Sequence, residues 1–587
     1  MQVYLPEGNT GIFLKSTRAW LRLTPPPMHG DPIPIAFGLG DPPDIECAAH
    51  SSTYDGCIGL LQCQANTLLL LGSGRRRDDD PSMMVLNSCD LLTLSSVGCE
   101  PLTSQAELLA EILIDGSFFY SKQDDCSMHL ARQRAQARQR NSVAFHPVPR
   151  SEPPPPPATS NLAVAGHYVW NSFMLEPLVT LGKSLAPADQ GILYDDFLLP
   201  LVRGFFGMKR VRHGSATVEL RIISRRDWHR EGTRFLKRGI DVEGNVAAFA
   251  ETELQLRVIP FHKASEHTVS FVQVRGSVPA YWTENPRIRG PPDLHIEEDA
   301  VEESRGAFEL HIRHLVEEYG PVHAMAFLHG PHCGHLDPEA RLLQVYQVLV
   351  ALVQTGSGSP SGEVTLEAID FGRHEKPHTF EQIPEKIGQM ADAFLSKSGW
   401  TSIAGSAQDL EAELVREQHG VLRINCRDCC DRTNLAQFSC SAQALRKILQ
   451  ELTLPPLAPG SALDQAHRRL WAANGDTLSD IYTGWPSMTS NFILSGRVTH
   501  KELVHNEENS LHRLSQALQR DHSKNCATEI LTGEHLSSSS HVCKNTDLLV
   551  PGEALAPLRL QLMMARDAAQ SVTGASVCSL LSDDWAL

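Results

Sequence analysis

The stretch Ile-Asn-Cys-Arg-Asp-Cys-Cys-Asp-Arg-Thr-Asn at 424–434 places Cys426 five residues before Arg432, with Thr433 directly after. A thiolate and a guanidinium at that spacing suit displacement at phosphorus. The sulfur attacks, and the planar, permanently charged fork of Arg432 takes two phosphoryl oxygens at once. A departing alkoxide also needs a proton, and Asp428 and Asp431 are the nearby carboxyls. A buried carboxyl against arginine normally stays ionised, so either one is also a possible structural cap, and the sequence does not rank them. Thr433 is placed to cap a helix or to hydrogen-bond the sulfur. Arg427, Cys429 and Cys430 complete the loop as candidate substrate contacts, with a buried structural thiol as the other reading for Cys429, Cys430 and Cys440.

The flanks say what positions these groups. HGVLRIN at 419–425 predicts a short strand, and the segment at 435–452 predicts a helix with Leu435, Phe438, Ala442, Leu445, Ile448 and Leu449 on one stripe. Strand, tight loop, helix is an arrangement that turns backbone N–H groups inward and adds the helix dipole, making a nest for a phosphate. Cysteines at helix N-termini beside arginine fall to pKa values of about 3.5–7.5, so Cys426 is expected to be the nucleophile. Zinc is a poorer reading. Cys426 and Cys429 would need a second ligand pair, and only HGPHCGH, with His329, His332, Cys333 and His335, offers one. A redox dithiol would lack the small thioredoxin-like setting. No metal ligand and no cofactor is expected.

The chain has 587 residues and 42% hydrophobic content, enough for two domains plus tails. Its 14 cysteines are dispersed and no secretory leader is evident, which fits a reducing, cytoplasmic setting. No apolar run reaches the roughly 20 residues of a membrane span, and Gly at position 2 and Cys four from the end are missing, so membrane contact is expected to be peripheral. A net charge of −17 argues against nucleic acid as a partner. One tract opposes that balance: Lys209, Arg210, Arg212, Arg221, Arg225, Arg226, Arg230, Arg234, Lys237 and Arg238 meet only Glu219, Asp227 and Glu231. It reads as a basic face for a localised anion or an anionic lipid surface, or as a plain solvated face.

Composition breaks divide the chain into an N-terminal extension (1–56), a small mixed unit (57–131), a linker (132–165) that includes Pro153–Pro157, a larger unit (166–515) and a partly disordered tail (516–587). CIGLLQCQANTLLLLGSG at 57–74 predicts a strand pair, RRRDDD at 75–80 a polar loop, and 216–226, 244–259 and 269–282 further strands. Helical periodicity marks 303–318 and 339–353. The fold class is α/β in the broad, α+β sense.

At this point NCRDCCDRTN resembles the signature of the Sac-domain phosphoinositide phosphatases. FFYSKQDD at 118–125, LPLVRGFFG at 199–207, EGTRFLKRGIDVEGNVAAFAETE at 231–253, SFVQVRGSVPAYW at 270–282, WAANGD at 471–476 and NSLHR at 509–513 agree with that family in order, together covering about 57–515. The resemblance implies an N-terminal Sac subdomain and a catalytic one. It also implies hydrolysis of a phosphate monoester on an inositol ring through a phosphocysteine at Cys426, without an obligatory metal. The basic tract would then meet the lipid headgroup or an anionic membrane surface, with Arg234, Lys237 and Arg238 leading, whereas Asn245 and Arg275 read as buried structural groups. Many members carry leucine where Cys430 stands, and neither a membrane-spanning pair nor a second inositol-phosphatase domain follows. A protein tyrosine or dual-specificity phosphatase is the rival enzyme, disfavoured because the Trp485-Pro486 pair is followed by Ser487 instead of Asp. A catalytically silent phosphoinositide-binding scaffold is the rival of another class. A regulatory protein partner, the ring position, the organelle and the oligomeric state are not readable.

Overall fold

The computed structural model describes residues 1–497 apart from 6–10, 27–31, 42–48, 64–65, 96–108, 145–165, 262–265, 286–292, 334–336, 357–362, 371–380, 407–408 and 410. Pro153–Pro157, NSLHR and the tail therefore lie outside the described residues. Five strands open the chain: β1 (Gln2–Tyr4), β2 (Ile12–Lys15), β3 (Ala19–Leu23), β4 (Ile35–Leu39) and β5 (Ala49–Thr53). They form a sheet of their own, ordered β4-β3-β2-β1-β5. Next come β6 (Gly56–Cys63), β7 (Asn66–Arg76), β8 (Met83–Ser95), β9 (Phe118–Ser121), α1 (Leu130–Ala144), α2 (Ser172–Lys183) and α3 (Pro187–Phe197). Leu14, Leu21 and Leu23 of the first sheet share a core with Leu60, Leu69 and Leu71 and with Leu175, Leu178 and Phe197 of α2 and α3. The stretch grouped as an extension is thus a packed layer of the molecule.

The remaining strands are β10 (Val202–His213), β11 (Ala216–Arg226), β12 (Ala250–Pro260), β13 (His267–Arg275), β14 (Thr283–Asn285), β15 (Asp293–His295), β16 (Val322–Leu328), β17 (Val364–Asp370), β18 (Thr401–Ala404), β19 (Glu413–Arg416) and β20 (Val421–Asn425). The helices among them are α4 (Ala300–Tyr319), α5 (Pro338–Thr355), α6 (Ile383–Ser398), α7 (Asp431–Glu451), α8 (Ala462–Thr483) and α9 (Ser490–Ser495). One 13-stranded sheet runs β17-β16-β20-β13-β12-β11-β10-β9-β8-β7-β6, with β18 paired to β13 and β19 to β18. The small unit and the larger one therefore share a sheet, continuous through the β9–β10 pairing. Pairing is antiparallel except that β16 pairs parallel with β17 and β20, and β13 with β20.

That parallel block explains the nearly unbroken apolar sequence of β16, because helices cover both of its faces. Met325 and Phe327 join the core made with α6, α7 and α8, while Ala324, Ala326 and Leu328 join the core made with α4 and α5. The two sets alternate with the period-2 pleat of a strand. The carboxyl ends of β16, β17 and β20 share one edge, where open α/β sheets hold their ligands.

Two expectations need correction. The segment opening with Arg132, read as the start of a linker, is α1. Leu130 packs with Ile403 and Ala412, and Arg134 donates to the carbonyls of Asp409 and Ala412, docking the helix beside β18 and β19. RRRDDD is only partly a loop, since Arg75 and Arg76 finish β7 and Asp80 pairs with Arg221.

The basic tract is also not a free face. Arg225, fully buried, pairs at 2.8 Å with both Glu251, directly opposite it on β12, and Glu253, two positions along the same face. Arg226 pairs with Glu231, and Arg210 with Glu219. Arg225→Met is expected to destabilise the fold by about 3–5 kcal/mol, because two buried carboxylates lose their counter-charge. A lowered midpoint of urea unfolding, followed by tryptophan fluorescence, checks this.

Candidate active site

β20 ends at Asn425, the loop runs from Cys426 to Cys430, and α7 begins at Asp431. The helical stripe expected at Leu435, Phe438, Ala442, Leu445, Ile448 and Leu449 is buried throughout. The loop turns at Cys429, whose φ of 55° lies in the left-handed region that non-glycine residues rarely adopt. Arg275 fixes this conformation from beneath. It donates to the Cys429 carbonyl (3.3 Å), to Asn434 Oδ1 (3.0 Å) and to Gln437 Oε1 (2.9 Å). Asn434 in turn donates to the Trp471 carbonyl and accepts from Asn474. α8 comes so close that a Cβ on Gly475 would stand 2.4 Å from Asn434 Nδ2, so glycine is required there.

A second frame grips the front of the loop. Arg238 donates to the Arg427 carbonyl (3.2 Å) and ion-pairs with both Asp428 and Glu284. Glu284, from β14, also pairs with Arg427 through Nε at 2.6 Å. Arg238 is thus buried under the loop as its tie, while Arg234 and Lys237 are half-buried on the same segment. Arg432 is held end-on: Nη1 and Nη2 meet the two oxygens of Glu339 at 2.9 and 3.0 Å, and Nη1 also donates to the Phe327 carbonyl. Glu284 and Glu339 were not anticipated, and nothing in the local sequence around the loop marks them. Ser487 and Met488, in the segment that had served only to argue against a tyrosine phosphatase, both donate to Asp431 Oδ1 at 2.7 Å.

Cys426 is only 2% exposed, belongs to the core that β16 forms with α6, α7 and α8, and lies within electrostatic reach of Arg432 and Arg275. Burial pushes Cys429 up to about 12 and Cys430 well above the usual thiol range, so these two stay protonated and inert. The two aspartates separate. Burial opposes ionisation of Asp428, but the charges of Arg238, Arg234 and Arg427 outweigh it and hold the carboxyl well below its ordinary range. Burial raises Asp431 despite the bonds from Ser487 and Met488. Thr433 is neither helix cap nor sulfur partner. Because α7 starts at Asp431, Thr433 lies inside the first turn with Oγ1 buried and, among the described residues, without a hydrogen-bond partner. Leaving a buried hydroxyl so costs about 1–3 kcal/mol.

These features describe a mixed α/β protein in which the ion pairs of Arg238, Arg427 and Arg432 surround one cysteine-bearing loop at a strand–helix junction. The SacI homology domain model matches residues 55–376, more than half of the chain, and the chain belongs to that family. The loop itself lies beyond the matched residues. The polyphosphatidylinositol phosphatase INP53 of Saccharomyces cerevisiae is 31% identical over 397 residues, covering 67% of this chain and 32% of that protein. The phosphoinositide phosphatase SAC7 of Arabidopsis thaliana is 29% identical over 377 residues, 64% of this chain and 57% of that one. The phosphatidylinositol-3-phosphatase SAC1 of Saccharomyces cerevisiae is 27% identical over 366 residues, 61% and 55%. The chain thus spans less than two-thirds of the length of each of these relatives.

Proposed function

We propose that this protein hydrolyses a phosphate monoester on the inositol ring of phosphatidylinositol phosphates, through a phosphocysteine at Cys426. The observation that carries the reading is the placement of Cys426 on the loop before α7, with Arg432 in the first turn of that helix and within electrostatic reach of it, in a chain whose relatives are named as phosphoinositide phosphatases. The phosphoryl group settles among the N–H groups of the helix N-terminus, the thiolate forms the S–P bond, and the P–O bond to the ring breaks. Asp431 gives its proton to the leaving alkoxide. Water then attacks phosphorus, returning that proton to Asp431, and the S–P bond breaks to release inorganic phosphate and the thiolate. Arg234 and Lys237 are our candidates for headgroup contact, and Arg238 and Arg427 for holding the loop. No helix among the described residues is long and apolar enough to cross a membrane, and we place the substrate in an anionic membrane surface met peripherally.

Asp431 is chosen as the acid on the sign of its shift. A general acid works only while protonated, and burial lets Asp431 keep its proton above the ordinary carboxylate range, whereas Asp428 is a carboxylate at every working pH. Wild-type turnover should therefore fall as pH rises through the Asp431 pKa. Asp431→Asn is expected to lower kcat by about 10²–10⁴-fold and to remove that alkaline limb. Asp428→Asn should lose less and keep the limb; a limb that vanishes with Asp428 instead reverses the assignment. The function itself is tested by phosphate release from mono- and bisphosphorylated phosphatidylinositols in liposomes, which also reads the ring position.

A further inference from the structure

The edge that carries the Cys426 loop carries a second chemistry. His329 directly follows β16, and its Nδ1 lies 3.0 Å from Asp337 Oδ2. His329, Cys333 and Asp337 each present one ligand atom, and the three atoms lie within 4.8 Å of one another. Imidazole, thiolate and carboxylate are all zinc ligands, at about 2.0–2.3 Å, which puts neighbouring ligands of a tetrahedral site roughly 3.5 Å apart. Closure thus asks for a shift of about 1 Å, and Cys333, exposed on the one-turn segment Pro331–Cys333, is placed to make it. The rest is anchored. The Gly330 N–H donates to Asp370 Oδ1 at the end of β17, and Asp337 Oδ1 accepts the Ala340 N–H at the start of α5, leaving Oδ2 turned to the imidazole.

We propose that His329, Cys333 and Asp337 bind a zinc-class divalent cation, with the Cys333 proton released on binding. Asp337, the N-cap of α5, joins His329 and Cys333 of the set the sequence offered, while His335 and the His332 side chain lie outside the described residues. The site has a route to the phosphate loop: His329 Nε2 lies 3.9 Å from Glu339 Oε2, and Glu339 holds Arg432. A dication here competes with Arg432 for that carboxylate and loosens the guanidinium. This coupling, unlike the binding, rests on the phosphatase reading.

Binding is measured on the full chain carrying Cys426→Ser, so that the loop sulfur cannot ligate, with cobalt(II) as probe and zinc as competitor. One equivalent of cobalt should give a thiolate-to-metal charge-transfer band that zinc displaces. Cys333→Ser should lose the band, and His329→Ala should weaken binding by about 10–100-fold, with circular dichroism showing both variants folded. His167, Asp227 and His229, the other such cluster among the described residues, have no thiol and add no band. No band at one equivalent, or a band that survives Cys333→Ser, overturns the site. With Cys426 restored, one equivalent of zinc should slow phosphate release about tenfold in the wild type and leave Cys333→Ser unaffected. Equal slowing in both overturns the coupling, whereas a metal-free wild type that releases no phosphate overturns the phosphatase reading and leaves the cobalt result standing.

Discussion

Cys426→Ser is expected to reduce phosphate release from phosphatidylinositol phosphates by at least about a thousandfold, while the protein stays folded and still binds headgroup-bearing liposomes. A serine hydroxyl at this position has no general base assigned to it and remains un-ionised at neutral pH, so the first displacement loses its nucleophile. The fold should tolerate the exchange. Oxygen is smaller than sulfur and brings no clash, and the bonds that shape the loop, from Arg275 to the Cys429 carbonyl and from Arg238 to the Arg427 carbonyl, do not involve the Cys426 side chain. The near-complete burial of Cys426 adds a condition: the phosphate must reach a sulfur that is covered in the resting structure. Phosphate release and liposome co-sedimentation, run side by side, separate the two effects, and equal turnover by variant and wild type would remove Cys426 from the mechanism.

What the sequence disclosed follows the range of the interactions involved. The strand, loop and helix around Cys426 are local, so their alternation and stripe were readable, and so was β11 from its apolar pattern at 216–226. The ties that shape the loop are not local. Glu284 meets Arg427 across 143 positions of chain, and Glu339 meets Arg432 across 93. The basic tract misled for the same reason: counted along the chain it has few acids, but β12 places Glu251 and Glu253 against Arg225 by strand register. The alternating Glu251 and Glu253 ahead of the apolar Leu254, Leu256 and Val258 were the available signal, since two acids on a buried strand need cations nearby. Thr433 failed as a cap because α7 begins three residues earlier than a cap at Thr433 would require.

The second large effect is expected at Arg432, where lysine keeps the charge and loses the geometry. Glu339 occupies the end-on edge of the guanidinium, formed by Nη1 and Nη2, and the Phe327 carbonyl fixes Nη1 further. The side edge, formed by Nε and Nη2, remains the edge by which a planar fork can take two phosphoryl oxygens, exchanging its resting contacts for them. Lysine offers one ammonium for both tasks. If that ammonium stays with the buried Glu339 carboxylate, which burial alone would protonate and which Arg432 keeps ionised, nothing is left to neutralise the equatorial oxygens in the transition state. If it turns to the phosphate, Glu339 is left as an uncompensated buried charge. Arg432→Lys should therefore lower kcat by about 10²–10³-fold. Glu339→Gln, which keeps the shape of the end-on contact and removes its charge, should lose about tenfold, because Arg432 is then held by a neutral acceptor. The order of the two variants is the decisive reading: an Arg432→Lys protein with most of its activity would mean that the fork never grips the phosphoryl group, and a Glu339→Gln protein more active than wild type would make Glu339 a block on the arginine instead of its support.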